Sequence, residues 1–262
     1  MRPFLFLFLG IVFSSYGAVV KLALVGVPEY VALATAELSG EAGLELIERA
    51  AISQILKEHV LSETGMSGTE LCKLFPHADI FALIDEKSMR TFNAKNGFLL
   101  TDIEHGGNAQ KMVSDIRLAR EKTSRSDSLL LGKLAYRDIG VPRRFKKQLP
   151  EAVLHVERLL LADQQIQLLE RERLETVAAE RALSGVTFQL PASMLLLSFE
   201  FEPGENGNMV NLLIQVDDLE QRKVAEQTIN DIFKHPVNIR QGVEALRKKL
   251  LQVAAKKGDH KQ

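Results

Sequence analysis

Apolar and polar positions alternate along this chain in a pattern that occurs twice. Val19 to Val27 (VVKLALVGV) is a short apolar, β-branched run that predicts a strand. Pro28-Glu29 then opens a helix whose inward face is Val31, Ala34 and Leu38, at spacings of three and four, and Ser39 to Gly43 stops it. Leu44, Leu46 and Ile47 predict a second short strand, and Ala50 to Leu61 a helix with Ile52, Ile55 and Leu56 inward. A further helix, opened by a capping box at Ser67 and Glu70 with Leu71 and Leu74 inward, leads through Ala78-Asp79 into the strand Ile80 to Ile84. Met89 to Phe92 and Gly97 to Leu100 then flank the turn-rich stretch Asn93 to Asn96.

The second occurrence lies 122 residues on, counted from Glu48 to Glu170. Leu44-Glu45-Leu46-Ile47-Glu48-Arg49 returns as Ile166-Gln167-Leu168-Leu169-Glu170-Arg171. Ile52, Ile55, Glu58, Leu61 and Ser62 fall on Leu174, Val177, Glu180, Leu183 and Ser184, and Val153, Val156 and Leu160 repeat the inward face of the first helix. A repeat of this length implies one small domain duplicated rather than a solenoid of short units. The second copy then runs through Ala192-Ser193 into the strand Met194 to Phe201, the loop Glu202 to Asn208 and the strand Met209 to Val216. Beyond it, Gln221 to Phe233 and Ile239 to Ala255 read as a closing helical hairpin broken at His235-Pro236.

The 262 residues suffice for two such units, and 46% hydrophobic with 26% charged residues is a globular balance. With 33 basic against 34 acidic side chains there is no general positive field, which argues against nucleic acid as a partner. The tail from Arg247 to Lys261 is the basic exception, and its reading is a solvated helix end, with an anionic membrane or partner contact as the alternative. One cysteine, Cys72, permits no intrachain disulfide and reads as a small buried residue.

Met1-Arg2, the apolar block Pro3 to Phe13 and the small-polar exit Ser14 to Ala18 follow the order of a secretory signal, with cleavage expected after Gly17. The block is shorter than the ~20 residues a bilayer span needs, and no cysteine follows it to take a lipid anchor. These features predict a periplasmic or secreted protein without a spanning segment. The expected division is a signal at 1–17, a first α/β module over 18–125, a second over 126–220, and C-terminal helices with the basic tail over 221–262.

Glu48-Arg49 and Glu170-Arg171 stand where strand hands over to helix, where an acid meets the positive end of the helix dipole. Their occurrence in both copies points to a structural role, shared by Glu58 and Glu180. The histidines show no metal-ligand spacing with one another or with Cys72. Gly106-Gly107-Asn108 lacks the Gly-Lys-Ser/Thr ending of a phosphate loop, and there is no Gly-x-Ser-x-Gly elbow. No catalytic, cofactor or metal residue is therefore nominated.

The run Glu48, Arg49, Ile52, Ile55, Leu56, Glu58, followed by Ala78-Asp79 leading into a strand, resembles the signature of the CsgG-like envelope family. His59 stands where that family usually has glutamine, and the second copy keeps Glu170, Arg171, Leu174 and Glu180 but has Ala178 and Ser193 at two other positions. The resemblance implies an α/β (α+β sandwich) fold of two tandem, divergent anticodon-binding-like modules, similar to those of LpoB and the TolB amino-terminal domain. It further implies a non-enzymatic role, without cofactor, in envelope assembly, secretion or cell-wall synthesis, through an envelope protein or self-association. The alternative is a two-lobed periplasmic ligand-binding protein with its site in the cleft between modules.

Overall fold

The computed structural model describes residues 19–47, 77–169, 193–205 and 207–259. In chain order they form β1 (Val20–Gly26), α1 (Pro28–Leu38), β2 (Leu44–Leu46), β3 (Ile80–Ile84), β4 (Ser88–Asn93), β5 (Leu99–Glu104) and α2 (Ala109–Ser124). There follow β6 (Leu129–Asp138), α3 (Arg143–Lys146), α4 (Leu149–Leu161), β7 (Ile166–Leu169), β8 (Leu195–Pro203), β9 (Val210–Asp217), β10 (Lys223–Ile229) and α5 (Pro236–Asp259). The fold is mixed α/β, with the ten strands in one mixed sheet of order β2-β1-β3-β4-β5-β7-β6-β8-β9-β10.

The two halves of that sheet follow one rule. β1 lies parallel between β2 and β3, and β3, β4 and β5 continue antiparallel. β6 likewise lies parallel between β7 and β8, and β8, β9 and β10 continue antiparallel. The seam between halves is the antiparallel contact of β5 with β7, registered at Leu99 and Leu168. Because lateral order is kept while strand direction reverses, a half-turn about an axis across the strands relates the halves, and the sheet faces exchange. Adjacent residues of β5 show the exchange: Thr101 turns to Asp115 of α2, and Asp102 turns to Arg158 of α4.

Apolar positions fill the space beneath each helix pair. Val31, Ala34 and Leu38 of α1 are buried, as expected, with Met112, Ile116 and Ala119 of α2 against Leu22, Ile80, Ile84 and Leu100. Val153, Val156 and Leu160 of α4 are buried, also as expected, together with Ile239, Val243, Leu246 and Leu250 of α5 against Phe199, Phe201, Ile214 and Val216. Phe81, Phe92 and Leu99 of the first half belong to this second core, so apolar packing runs across the seam. Gly26 closes β1 at φ 132°, where a Cβ would lie 1.8 Å from the Ile84 carbonyl oxygen, so only glycine fits.

The expected C-terminal helical hairpin is not formed. Lys223–Ile229 is strand β10, paired to β9, and α5 alone is helical. Asp218 accepts hydrogen bonds from the Glu220 and Arg222 N–H groups, and Gln221 at φ 63° completes a tight turn that a helix could not contain. Val224, Thr228 and Ile229 are β-branched, and β9 supplies the ladder that turns their ambiguous spacing into a strand.

Candidate functional site at the junction of the halves

Beneath α2 a line of polar groups interrupts the apolar core. The Thr91 and Thr101 hydroxyls pair across β4 and β5 at 2.6 Å, and Thr101 Oγ1 donates to Asp115 Oδ2. All three side chains are buried. Burial pushes the Asp115 carboxyl up to about 7, against the opposing pull of the Thr101 hydroxyl and the Lys122 ammonium.

Two helical turns further on, Lys122 is fully buried at the seam. An ammonium offers three N–H donors, and Lys122 Nζ meets three carbonyls: Leu100 of β5 at 2.6 Å, Leu161 of α4 at 2.5 Å and Ile166 of β7 at 2.8 Å. Leu161 ends α4, where helix carbonyls lack an intrahelical partner and the dipole favours a cation. Burial pulls the lysine down to about 7, and Asp115 and Asp163 oppose that shift. Three carbonyls from both halves converge on the nitrogen, so Lys122 ties the halves together through hydrogen bonds. Gln167 of β7 adds to it by donating to the Lys122 carbonyl and the Ser128 hydroxyl.

At the far end of β5 a second lock crosses the seam. Arg158 of α4 donates to Asp102 Oδ1 at 2.9 Å and to Glu104. Burial raises the Asp102 carboxyl, and Arg158 is the cation that offsets it. Beside this lock lies an open cavity of about 750 Å³, lined by Asp85, Glu86, Lys87, Ser88, Glu104, Gly106 and Arg158. Both halves thus contribute to its wall.

The groups around the cavity are occupied by one another. Burial would raise the Asp85 carboxyl, but the Ser88 hydroxyl and the Ser88 and Lys87 N–H groups outweigh it and hold it below the usual range. His105 Nδ1 accepts from the Gly107 N–H, and its Nε2 donates to the Asp85 carbonyl, both at 2.9 Å. Ser88 Oγ and the imidazole are therefore tied to separate partners, and the loop they hold leads into α2 at its N-cap, Asn108. Among the described residues, no group of three His, Cys, Asp or Glu side chains is placed to hold a metal ion.

Glu48, Arg49, Glu58, Glu170, Arg171 and Glu180 all lie outside the described residues, as do Cys72 and the signal-like N-terminus. Within the basic tail, Arg247 is committed to Asp163 and Lys248 to Glu244 at 3.3 Å. No described helix is long and apolar enough to cross a membrane. Arg158, Asp102, Asp115 and Lys122 were not nominated from sequence. A signal existed for two of them: Asp115 and Lys122 fall on the otherwise apolar stripe of Met112, Ile116 and Ala119. Comparisons with protein-family models, with curated proteins and with solved structures each gave no match.

Proposed function

We propose that this chain is an exported, non-enzymatic interaction protein of the cell envelope, built from two tandem, divergent CsgG-like modules over 18–125 and 126 onward. The observation that carries the reading is the strand order itself. β2-β1-β3-β4-β5 and β7-β6-β8-β9-β10 have the same internal sense, in step with the 122-residue sequence repeat. Two like units joined through a sheet seam, a shared core, the buried Lys122 tie and the Arg158–Asp102 ion pair make a stiff platform, which suits a part that holds other proteins in register. The signal-like N-terminus supports the envelope as its compartment. The test is fractionation of cells expressing a C-terminally tagged chain, followed by cross-linking in intact cells. Processing near Gly17 with capture of an envelope protein or a homo-oligomer is the expected result, and an unprocessed cytoplasmic chain would overturn it.

The cavity at the junction supports a second reading, a ligand-binding protein, because residues of both halves line it. A thermal-shift screen with nucleotides, sugars and amino acids separates the two readings. A rise in melting temperature that is lost in Arg158→Met favours the binder.

A further inference from the structure

We propose that Lys249 and Gln227 form an autoinhibitory cap on β10. It holds this edge of the sheet closed to strand addition by a second copy of the chain. Among the described residues β10 is an outer strand, paired on one side to β9. The register shows which of its backbone groups face outward. The Ile232 N–H donates to the Val210 carbonyl, so Val210 and, by alternation, Leu212, Ile214 and Val216 turn their backbone groups toward β10. Leu212, Ile214 and Val216 pair with Ile229, Gln227 and Ala225. Glu226 and Thr228, which alternate with these, therefore turn their N–H and carbonyl groups away from β9.

Both of these outward carbonyls are occupied. Lys249 Nζ donates to the Glu226 carbonyl at 2.7 Å and to Gln227 Oε1 at 3.1 Å. Gln227 Nε2 donates in turn to the Thr228 carbonyl at 2.9 Å. The three bonds make one relay along the strand, from α5 to the Thr228 carbonyl. An incoming strand needs the same two carbonyls for its own N–H groups, so it must first displace the relay.

The helix is fitted to deliver this lysine. Gly242 lets α5 settle onto Ile229, where a Cβ would lie 2.4 Å from Cγ1. Lys249 stands two helical turns beyond Gly242, about 10 Å along the axis. Glu226 stands three residues before Ile229, also about 10 Å along its strand. Close approach at Gly242 and this matched advance bring the ammonium to the Glu226 carbonyl.

Two further features oppose pairing at the same edge. The register slips between Lys223 and Ala225, a bulge that increases the local twist. Lys223 and Glu226 form an exposed ion pair at 2.6 Å, and antiparallel self-pairing centred on Glu226 would set like carboxylates side by side. At the other end of the sheet β2 has three residues and is blunted by its shortness. Any assembly of this chain within the envelope reading then runs through surfaces other than the β10 edge.

The test uses residues 18–262 with Cys72→Ser and a reporter, Glu226→Cys, compared with and without Lys249→Met and Gln227→Val. The reporter lies at the middle of the edge, so β10 meeting β10 brings two thiols together and oxidation records a covalent dimer. Removing the cap should raise the rate of dimer formation at least about tenfold, the equivalent of one lost hydrogen bond. The melting temperature of the reduced protein should stay unchanged, which shows that the fold is intact. Lys249→Arg keeps donors at this place and should cross-link as slowly as the capped protein. Equal rates with and without the cap would overturn the proposal. Two slow rates would mean an edge closed by something else, and two fast rates a cap that does not close it. A homo-oligomer formed through another surface gives no disulfide at this position, so the envelope reading is judged separately, by export and partner capture.

Discussion

Lys122 and Lys249 lie on the helices that close the two halves, and their surroundings make them different residues. Each follows an identical apolar spacing on the helix that closes its half, and each turns its nitrogen to a carbonyl of the neighbouring strand. Among the described residues β10 is an outer strand of the sheet, and Lys249 is exposed. At β5 the strand is covered by β7, and the same kind of side chain is buried with three carbonyl partners. The helices differ two turns earlier as well. Asp115 of α2 receives the Thr101 hydroxyl, whereas Gly242 of α5 lets the helix settle onto Ile229, whose Cγ1 would be 2.4 Å from an added Cβ. The helix that closes the first half covers a polar line, and the helix that closes the second covers apolar contacts.

The sharpest way to break this comparison is to truncate both lysines. Lys122→Met leaves three buried carbonyls without their donor and Asp115 without its cation, and it should cost about 3–5 kcal/mol. Lys249→Met should change stability by no more than about 0.5 kcal/mol in the monomer, because water replaces the lost donor. Urea unfolding followed by circular dichroism measures both, and equal effects would remove the distinction drawn between seam and edge.

Next in size is the other end of the seam. Arg158→Met leaves Asp102 buried beside a strand without its counter-charge and should cost about 3 kcal/mol, read from the same urea midpoints. Asp102→Asn in that background should recover part of the loss, since the uncompensated charge is then gone.

The pH dependence sharpens the polar line. With the carboxyl of Asp115 raised to about 7 in the fold from 3.8, its contribution is fully present below about pH 4 and lost as pH rises through 7. Lys122, lowered from 10.5 to about 7, contributes fully above about pH 10 and loses that contribution as pH falls through 7. Together they place a trough near neutrality. In Asp115→Asn the acid-side limb should vanish, so the stability difference between wild type and variant should change on the order of 3 kcal/mol between pH 4 and pH 8. Parallel curves for the two proteins would show that Asp115 does not titrate in this range.

Much of the fold was legible in the residues because the repeat disclosed core geometry. Val31, Ala34 and Leu38 announce one helix face and Val153, Val156 and Leu160 the same face again, and all six are buried. β10 was not legible: Val224, Ala225, Thr228 and Ile229 satisfy a helical spacing as well as a strand, and only β9 beside them decides. The exchange of faces between halves rests on one pairing, Leu99 with Leu168, which no local pattern encodes. The junction residues were hidden for the same reason. Arg158 and Asp102 are ordinary surface charges in sequence, 56 residues apart, until the half-turn brings them together. Lys122 and Asp115 did leave a trace, as charges on an apolar stripe.

The central claim is that the halves are fused through β5 and β7 in the register of Leu99 and Leu168. Leu99→Cys with Leu168→Cys, in a Cys72→Ser background, tests it directly by oxidation and peptide mapping of the monomer. The account predicts a rapid intrachain disulfide between the two positions. Free thiols at both positions in the folded, oxidised protein would contradict it.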